Sequence, residues 1–416
     1  MKRITITFIL FISLIHSQKI LIPMDQTQND HLKAYGIAYY VLKRNINVEW
    51  LLNFQGGSFL IDNHPFIQAE CKIRGVSFLE LGNELLDIYS TIEENNMDIV
   101  LLEKAPNIAI YSPPNKQPWD DAVTLALTYA EVDYKTLWDE EVINNTLDKY
   151  DWLHLHHEDF TGQYGKFYRN YHNAPWYIEQ KTRFENLAKK FGMKSVHEEK
   201  KAISRIIKNY ISNGGFLFAM CSATDSYDIA LSLENIDGVH SVFDGTPIDK
   251  DIDDKINFSK SLAFTNYKIY TDPMIYEFSD IDYPPSHNPI TRGAEADYFS
   301  LFEFSAKYDP VPTMLTQNHV PIVKGFMGQT TGFNKNMIKN HVIIMGEDPA
   351  SDQVKYLHGN FGKGTYTFYG GHDPEDYQHF VGDPPTDLSL HRNSPGYRLI
   401  LNNILFPAAR KKEKKT

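Results

Sequence analysis

The sequence predicts an α/β protein built on a mostly parallel, doubly wound sheet, with an N-terminal β-α-β extension and an irregular insertion. Three observations predict it. Short apolar runs of strand type alternate with longer stretches of helical period, which implies right-handed crossovers and parallel pairing. Two of those runs, Phe216–Met220 and Gly364–Tyr369, lead straight into small-residue turns carrying Cys221 and His372. The periodicity then lapses between Asp237 and Asp297, where Asp, Pro, Tyr and Asn dominate. The chain divides accordingly into a leader at 1–17, a β-α-β region at 18–104, a main domain at 105–236 and 298–406, an insertion at 237–297 and a basic tail at 407–416.

The elements follow in order. Lys2 and Arg3 precede the apolar run Ile4–Ile15, and small Ser17 stands before Gln18–Lys19. This is the pattern of a secretory signal, too short to span a bilayer as an anchor. The expected location is therefore exported, periplasmic or secreted. Lys19–Met24 reads as a short strand, Asp30–Arg44 as a helix and Val48–Leu52 as the next strand. Gly56–Gly57 marks a tight turn after it. Pro65–Ile73 and Leu85–Glu94 are helical. The main domain opens with strand Ile108–Tyr111 and helix Trp119–Ala130, whose Asp120 and Asp121 suit a helix N-terminus. Strands Tyr134–Trp138 and Asp151–His156 come next, then helices Tyr177–Phe191 and Glu198–Ser212, stopped by Asn213-Gly214-Gly215. Phe216–Met220 is a buried-type strand and Thr224–Glu234 a helix. After the insertion, Pro312–Leu315, Val320–Lys324, His341–Met345 and Gly364–Tyr369 read as strands, and Tyr397–Leu405 as a closing helix.

Composition narrows the function classes. The net charge is −12, which argues against nucleic acid as the partner. No later segment is long and apolar enough to cross a membrane, so no span is expected once the leader is removed. The two cysteines, Cys71 and Cys221, are open to a disulfide or to separate thiol roles.

Three motifs carry chemistry. The strand–Cys221–helix unit has the form of a nucleophile elbow. The turn holds the thiol over the sheet edge, and backbone N–H groups near Ser222 and Ala223 can receive an oxyanion. Gly370-Gly371-His372-Asp373-Pro374-Glu375-Asp376 follows the last strand and offers His372 as a base. Glu375 is its expected orienter, with Asp373 or Asp376 as substitutes. His154-Leu155-His156-His157-Glu158-Asp159 clusters imidazoles and carboxylates. His154, His156, His157 and Glu158 are expected to line the pocket. His156, His157 and His372 are the alternative ligand set for a divalent metal such as zinc, with His379 and His391 as further candidates. No other cofactor is expected. The Gly325–Gly332 loop is Gly-rich but lacks the Gly-Lys-Ser/Thr ending that cradles phosphate.

The Cys221 unit, followed much later by a strand carrying His372 and Glu375, resembles the class I glutamine amidotransferase-like superfamily. The resemblance covers Asn107–Leu405 apart from the insertion and implies a flavodoxin-like fold with a Cys-His-Glu triad. Ala219 and Ala223 stand where that family has glycines, and Glu375 follows His372 by three residues rather than two. Lys19–Met24, Trp152–Asp159 and Gly370–Asp376 are also similar to an exported bacterial family catalogued as "asparagine synthetase B". The Ser-Gly-Gly-x-Asp-Ser loop of ATP-driven asparagine synthesis is absent, so that label does not describe the chemistry. The expectation is an exported Cys-dependent hydrolase, amidase- or esterase-like, acting on a small molecule, peptide or glycan. The alternatives are a metal-dependent hydrolase using the His154–Asp159 cluster and a non-catalytic extracytoplasmic binding protein.

Overall fold

The structure, a computed structural model, describes residues 19–114, 121–155, 157–283, 298–324, 328–376 and 384–409. The expected leader, Trp119 and Asp120, His156, His379 and the basic tail beyond 409 lie outside these residues.

The first strands form a five-stranded sheet. They are β1 (Lys19–Ile22), β2 (Val48–Leu52), β3 (Ser58–Asp62), β4 (Leu79–Leu81) and β5 (Asp98–Leu102), in the order β4-β1-β3-β2-β5. Side chains alternate between its faces. Ile20, Ile22, Trp50, Phe59 and Ile61 face one core, while Leu21, Leu51 and Leu60 meet Ile88 and Ile92 on the other side. β1 and β2 run parallel, as a β-α-β opening requires, but they are not neighbours. β3 lies between them and pairs antiparallel with both. The cause is the Gly56–Gly57 turn, where the chain reverses into a hairpin. Both glycines have positive φ, 74° and 89°, a region that side-chain-bearing residues avoid.

The remaining strands form a ten-stranded sheet. They are β6 (Ile108–Tyr111), β7 (Lys135–Leu137), β8 (Trp152–Leu155), β9 (Phe216–Met220), β10 (Tyr298–Leu301), β11 (Ile322–Lys324), β12 (Phe333–Asn334), β13 (Ile343–Glu347), β14 (Gln353–Phe361) and β15 (Gly364–Tyr369). The order is β11-β10-β13-β14-β15-β9-β8-β6-β7, with β12 beside β14. Pairings from β7 across to β15 are parallel. From β15 outward to β11 they are antiparallel.

The mostly parallel, doubly wound sheet expected from the sequence is therefore overturned, and the flavodoxin-like architecture implied by the amidotransferase resemblance falls with it. The small sheet is antiparallel throughout, and the large one is mixed. β3, β4, β5, β10, β12 and β14, all of which pair antiparallel, are absent from the strands expected from the sequence, and two of them show why. β3 is the return arm of the first hairpin. β14 is interrupted by Lys355 and His358, yet both are buried, the first donating to Thr331 O at 2.8 Å and the second bonded to Thr367 Oγ1 at 3.1 Å. The Gly362–Lys363 turn, with Gly362 at φ 62°, folds β14 back on β15. Pro312–Leu315, expected as a strand, belongs instead to a short helix that starts at Pro310, because proline suits a helix's first turn.

The helices are α1 (His31–Leu42), α2 (Pro65–Arg74), α3 (Glu84–Glu94), α4 (Ala122–Ala130), α5 (Asp139–Ile143), α6 (Tyr168–Tyr171), α7 (Pro175–Lys190), α8 (Val196–Ser212), α9 (Ser222–Ser232), α10 (Ser241–Asp244), α11 (Ile252–Lys255), α12 (Pro310–Leu315) and α13 (Pro395–Leu405). Residues of α1, α4 and α13 share one apolar core with a face of each sheet. Residues of α7, α8 and α9 cover the other face of the large sheet. Each fully buried Ile or Phe in these layers contributes roughly 1.5–3 kcal/mol. Arg398 of α13 is wholly buried and donates to Met24 O at 2.6 Å, to Tyr35 Oη at 3.1 Å and to Gly56 O. The described part of the expected insertion is packed rather than loose. Asp228 of α9 accepts the N–H groups of Leu262, Ala263 and Phe264 at 2.6–2.9 Å. No helix among the described residues is long and apolar enough to cross a membrane.

Candidate active site

Cys221 ends β9 and caps α9 with φ 54° and ψ −140°. A residue with a Cβ pays steric strain in this region, and such strain concentrates at functional sites. The turn is forced because a fully buried strand passes directly into a fully buried helix. Met220 pairs with Tyr369 of β15, and Ala219 pairs with Leu155 of β8. β9 thus lies between β8 and β15, and the loops leaving those two strands flank Cys221.

These loops carry His157 and His372. His372 Nε2 lies 3.0 Å from His157 Nδ1, and the ring centroids are 4.7 Å apart. One nitrogen donates and the other accepts, so the two imidazoles form a proton-sharing pair. Ser222 Oγ donates to His157 O at 2.8 Å, which ties the His157 loop to the first residue after the thiol. Cys221 is 3 % exposed, and its sulfur accepts the Gln329 N–H at 3.3 Å. Burial pushes the thiol pKa up, while the backbone N–H groups of Thr330, Gln329 and Ser222 pull it back. Both cysteines are free, so no disulfide joins Cys71 to Cys221.

Other expected site residues have different work. Glu375 pairs with His391 Nδ1 at 3.2 Å rather than orienting His372. Asp373 accepts the Glu375 N–H at 2.9 Å and the Thr386 hydroxyl at 2.8 Å, closing a turn, and Asp376 N donates to Asp373 O at 3.2 Å. His154 lies on the α4 side of β8, bonded to Phe218 O at 3.0 Å and to Asp121 at 3.2 Å. The strand ends at Leu155, so Glu158 lies beyond it and does not share a strand face with His154. Glu158 is buried and raised to about 8, first by burial and then by Asp139 and Asp159, with Lys200 opposing. Asp159 accepts the N–H groups of Thr161, Gln163 and Gly165 at 2.6–3.1 Å. Ala223 packs in the apolar core beneath α9. Of the metal set, His157 and His372 come together, and His156 lies outside the described residues. No group of three metal-ligating side chains occurs among the described residues.

Sequence reasoning missed Gln329, Thr330 and Asp225. Asp225 is buried one turn after Cys221, accepts the Thr330 hydroxyl at 2.9 Å, and is raised by burial to about 7. The available signal was the Gly325–Gly332 loop, recognisable as a place of close backbone approach but weighed only as a phosphate cradle. A crevice of about 1160 Å3 lies at the opposite ends of the parallel strands, lined by Gly215, Phe216, Gly364 and Thr365.

No family model matches this chain, and no curated protein matches it. Among solved structures it is similar to a cytoplasmic protein from Salmonella typhimurium, at 11 % identity and a TM-score of 0.35, covering 74 % of this chain and 100 % of that one. A second cytoplasmic protein from Salmonella typhimurium LT2 matches at 10 % identity and a TM-score of 0.32, covering 73 % and 99 %. It is also similar to an exo-β-1,4-mannosidase from an Opitutaceae bacterium, at 10 % identity and a TM-score of 0.28, covering 64 % of this chain and 31 % of that one.

Proposed function

We propose that this chain is an exported Cys-dependent hydrolase that cleaves an amide or ester in a small molecule, peptide or glycan. The observation that carries the reading is the strained backbone of Cys221 at the parallel edge between β8 and β15, φ 54° and ψ −140°. Gly would adopt the turn without strain, so the thiol is held there at a conformational cost. The His157–His372 pair supports the reading, since it lies on the loops that leave the two strands flanking β9.

In this mechanism the Cys221 proton passes to the histidine pair as sulfur bonds the carbonyl carbon. The pair returns the proton to the leaving amine or alcohol as the C–N or C–O bond breaks. Water, deprotonated by the same pair, then cleaves the thioester and restores the thiol. Glu375, paired with His391, takes no part in this relay.

Wild type and Cys221→Ala should be compared on a panel of activated esters and simple amides. The variant is expected to lose at least about a thousandfold in kcat/KM. An acyl adduct should be trapped on Cys221 by mass spectrometry. A Cys221→Ala protein with wild-type activity overturns the reading.

A further inference from the structure

We infer that the strap Gly328–Gly332 is a working wall of this site: the Gln329 N–H holds the Cys221 sulfur, and the Asp225–Thr330 pair is the positioning device that fixes it there. The inference deepens the hydrolase reading and rests on it for its chemical purpose, but not for its test.

The strap is pinned from several sides at once. A Cβ on Gly328 would meet His372 N at 2.9 Å and Gly371 Cα at 3.1 Å, so this backbone lies directly on the His372 loop. The Gln329 side chain donates to Gly165 O at 2.8 Å and to Tyr276 O at 3.1 Å. Thr330 gives its hydroxyl to Asp225 and takes the Gly371 N–H on its carbonyl at 2.8 Å. Thr331 N donates to Asp282 at 3.1 Å, and Thr331 O accepts Lys355 Nζ at 2.8 Å. A loop held only for packing does not need a buried carboxyl on one side and a buried ammonium on the other. Burying such groups costs free energy unless they are hydrogen-bonded.

The geometry has a clear purpose. A thiol shielded from water resists ionisation, and a fixed N–H on the sulfur opposes that resistance. The donor must stay within hydrogen-bond reach, which a free loop would not ensure. Asp225 sits on α9, the helix that Cys221 itself caps, so the Thr330 bond ties the strap to the body that carries the nucleophile. The Gly371 bond ties the same residue to the loop that carries the base.

The thiolate can be read without a substrate. Its ultraviolet absorbance is titrated as the difference between each protein and the same protein carrying Cys221→Ala. Thr330→Val should shift the titration to higher pH, leaving about tenfold less thiolate at neutral pH. Thr330→Ser should follow wild type. Gln329→Ala, which frees the side-chain grip but keeps the N–H, should shift the same way by less, and it decides the matter if the valine variant does not fold. A merely structural role would lower thermal stability and leave the titration in place. Folded Thr330→Val or Gln329→Ala protein with a wild-type titration overturns the inference. A titration that shifts while Cys221→Ala keeps full activity would sustain the strap and remove the hydrolase.

Discussion

At Cys221 the backbone and the side chain want different things. The turn from β9 to α9 asks for glycine, and the chain places a thiol there. Strain of this kind costs of order 1–3 kcal/mol, partly offset by the greater entropy that glycine loses on folding. Cys221→Gly is therefore expected to be more stable than Cys221→Ala by about 1 kcal/mol, read as the difference in urea unfolding free energy. Equal stability would mean the turn is not strained. Neighbouring residues were legible to different degrees. Cys221 and His372 stand out because each closes an apolar strand with a small-residue turn. His157 was visible only as one of several histidines in a run, because nothing in the run shows where β8 ends. Gln329 was invisible as a donor, since it contributes a backbone N–H that any residue carries.

Among the elements, α5 and α8 are joined by a fully buried ion pair. Lys200 Nζ lies 2.8 Å from Asp139 Oδ2, and Tyr111 Oη takes a further bond from Lys200 at 2.8 Å. The ammonium also stands 4.0 Å from the Trp138 ring centroid. Removing one partner leaves the other charge buried, so Lys200→Met should cost about 3–5 kcal/mol in unfolding free energy. Lys200→Met with Asp139→Leu should recover most of that loss; a double variant as unstable as the single one would show that packing, not charge, is at stake. Elements with a clean period were readable. In α8, Ser195 caps the start and Val196, Ile203, Ile207 and Ile211 form one buried stripe. Sheet topology was not readable, because pairing depends on hairpins rather than on strand content. Phe361-Gly362-Lys363-Gly364 is a reversal signal between β14 and β15, but β14 did not look like a strand with Lys355 and His358 inside it.

For the whole molecule, pH acts on buried acids and buried histidines in opposite directions. Glu158 is raised from 4.5 to about 8, so the fold favours its neutral form. Its contribution is fully present below 4.5 and is lost as pH rises through about 8. Glu158→Gln should flatten the fall of thermal stability across that window, and an unchanged slope would exclude Glu158 as its source. His31 is lowered to about 4 by burial and by Arg398, and it stacks on His319 at 4.2 Å. Its contribution is present above 6.5 and is lost as pH falls through about 4.

Arg398 has one more consequence. Met24 O and Gly56 O lie at the beginning of the chain, and the guanidinium that satisfies them arrives 374 residues after Met24. During synthesis the first sheet is complete in sequence long before it can be sealed. Met24 O can meet His31 Nε2 at once, but Gly56 O meets its guanidinium only after α13 has been made, so this contact at the start of the chain waits for its end. The first unit therefore has its full set of contacts only once the closing helix is present.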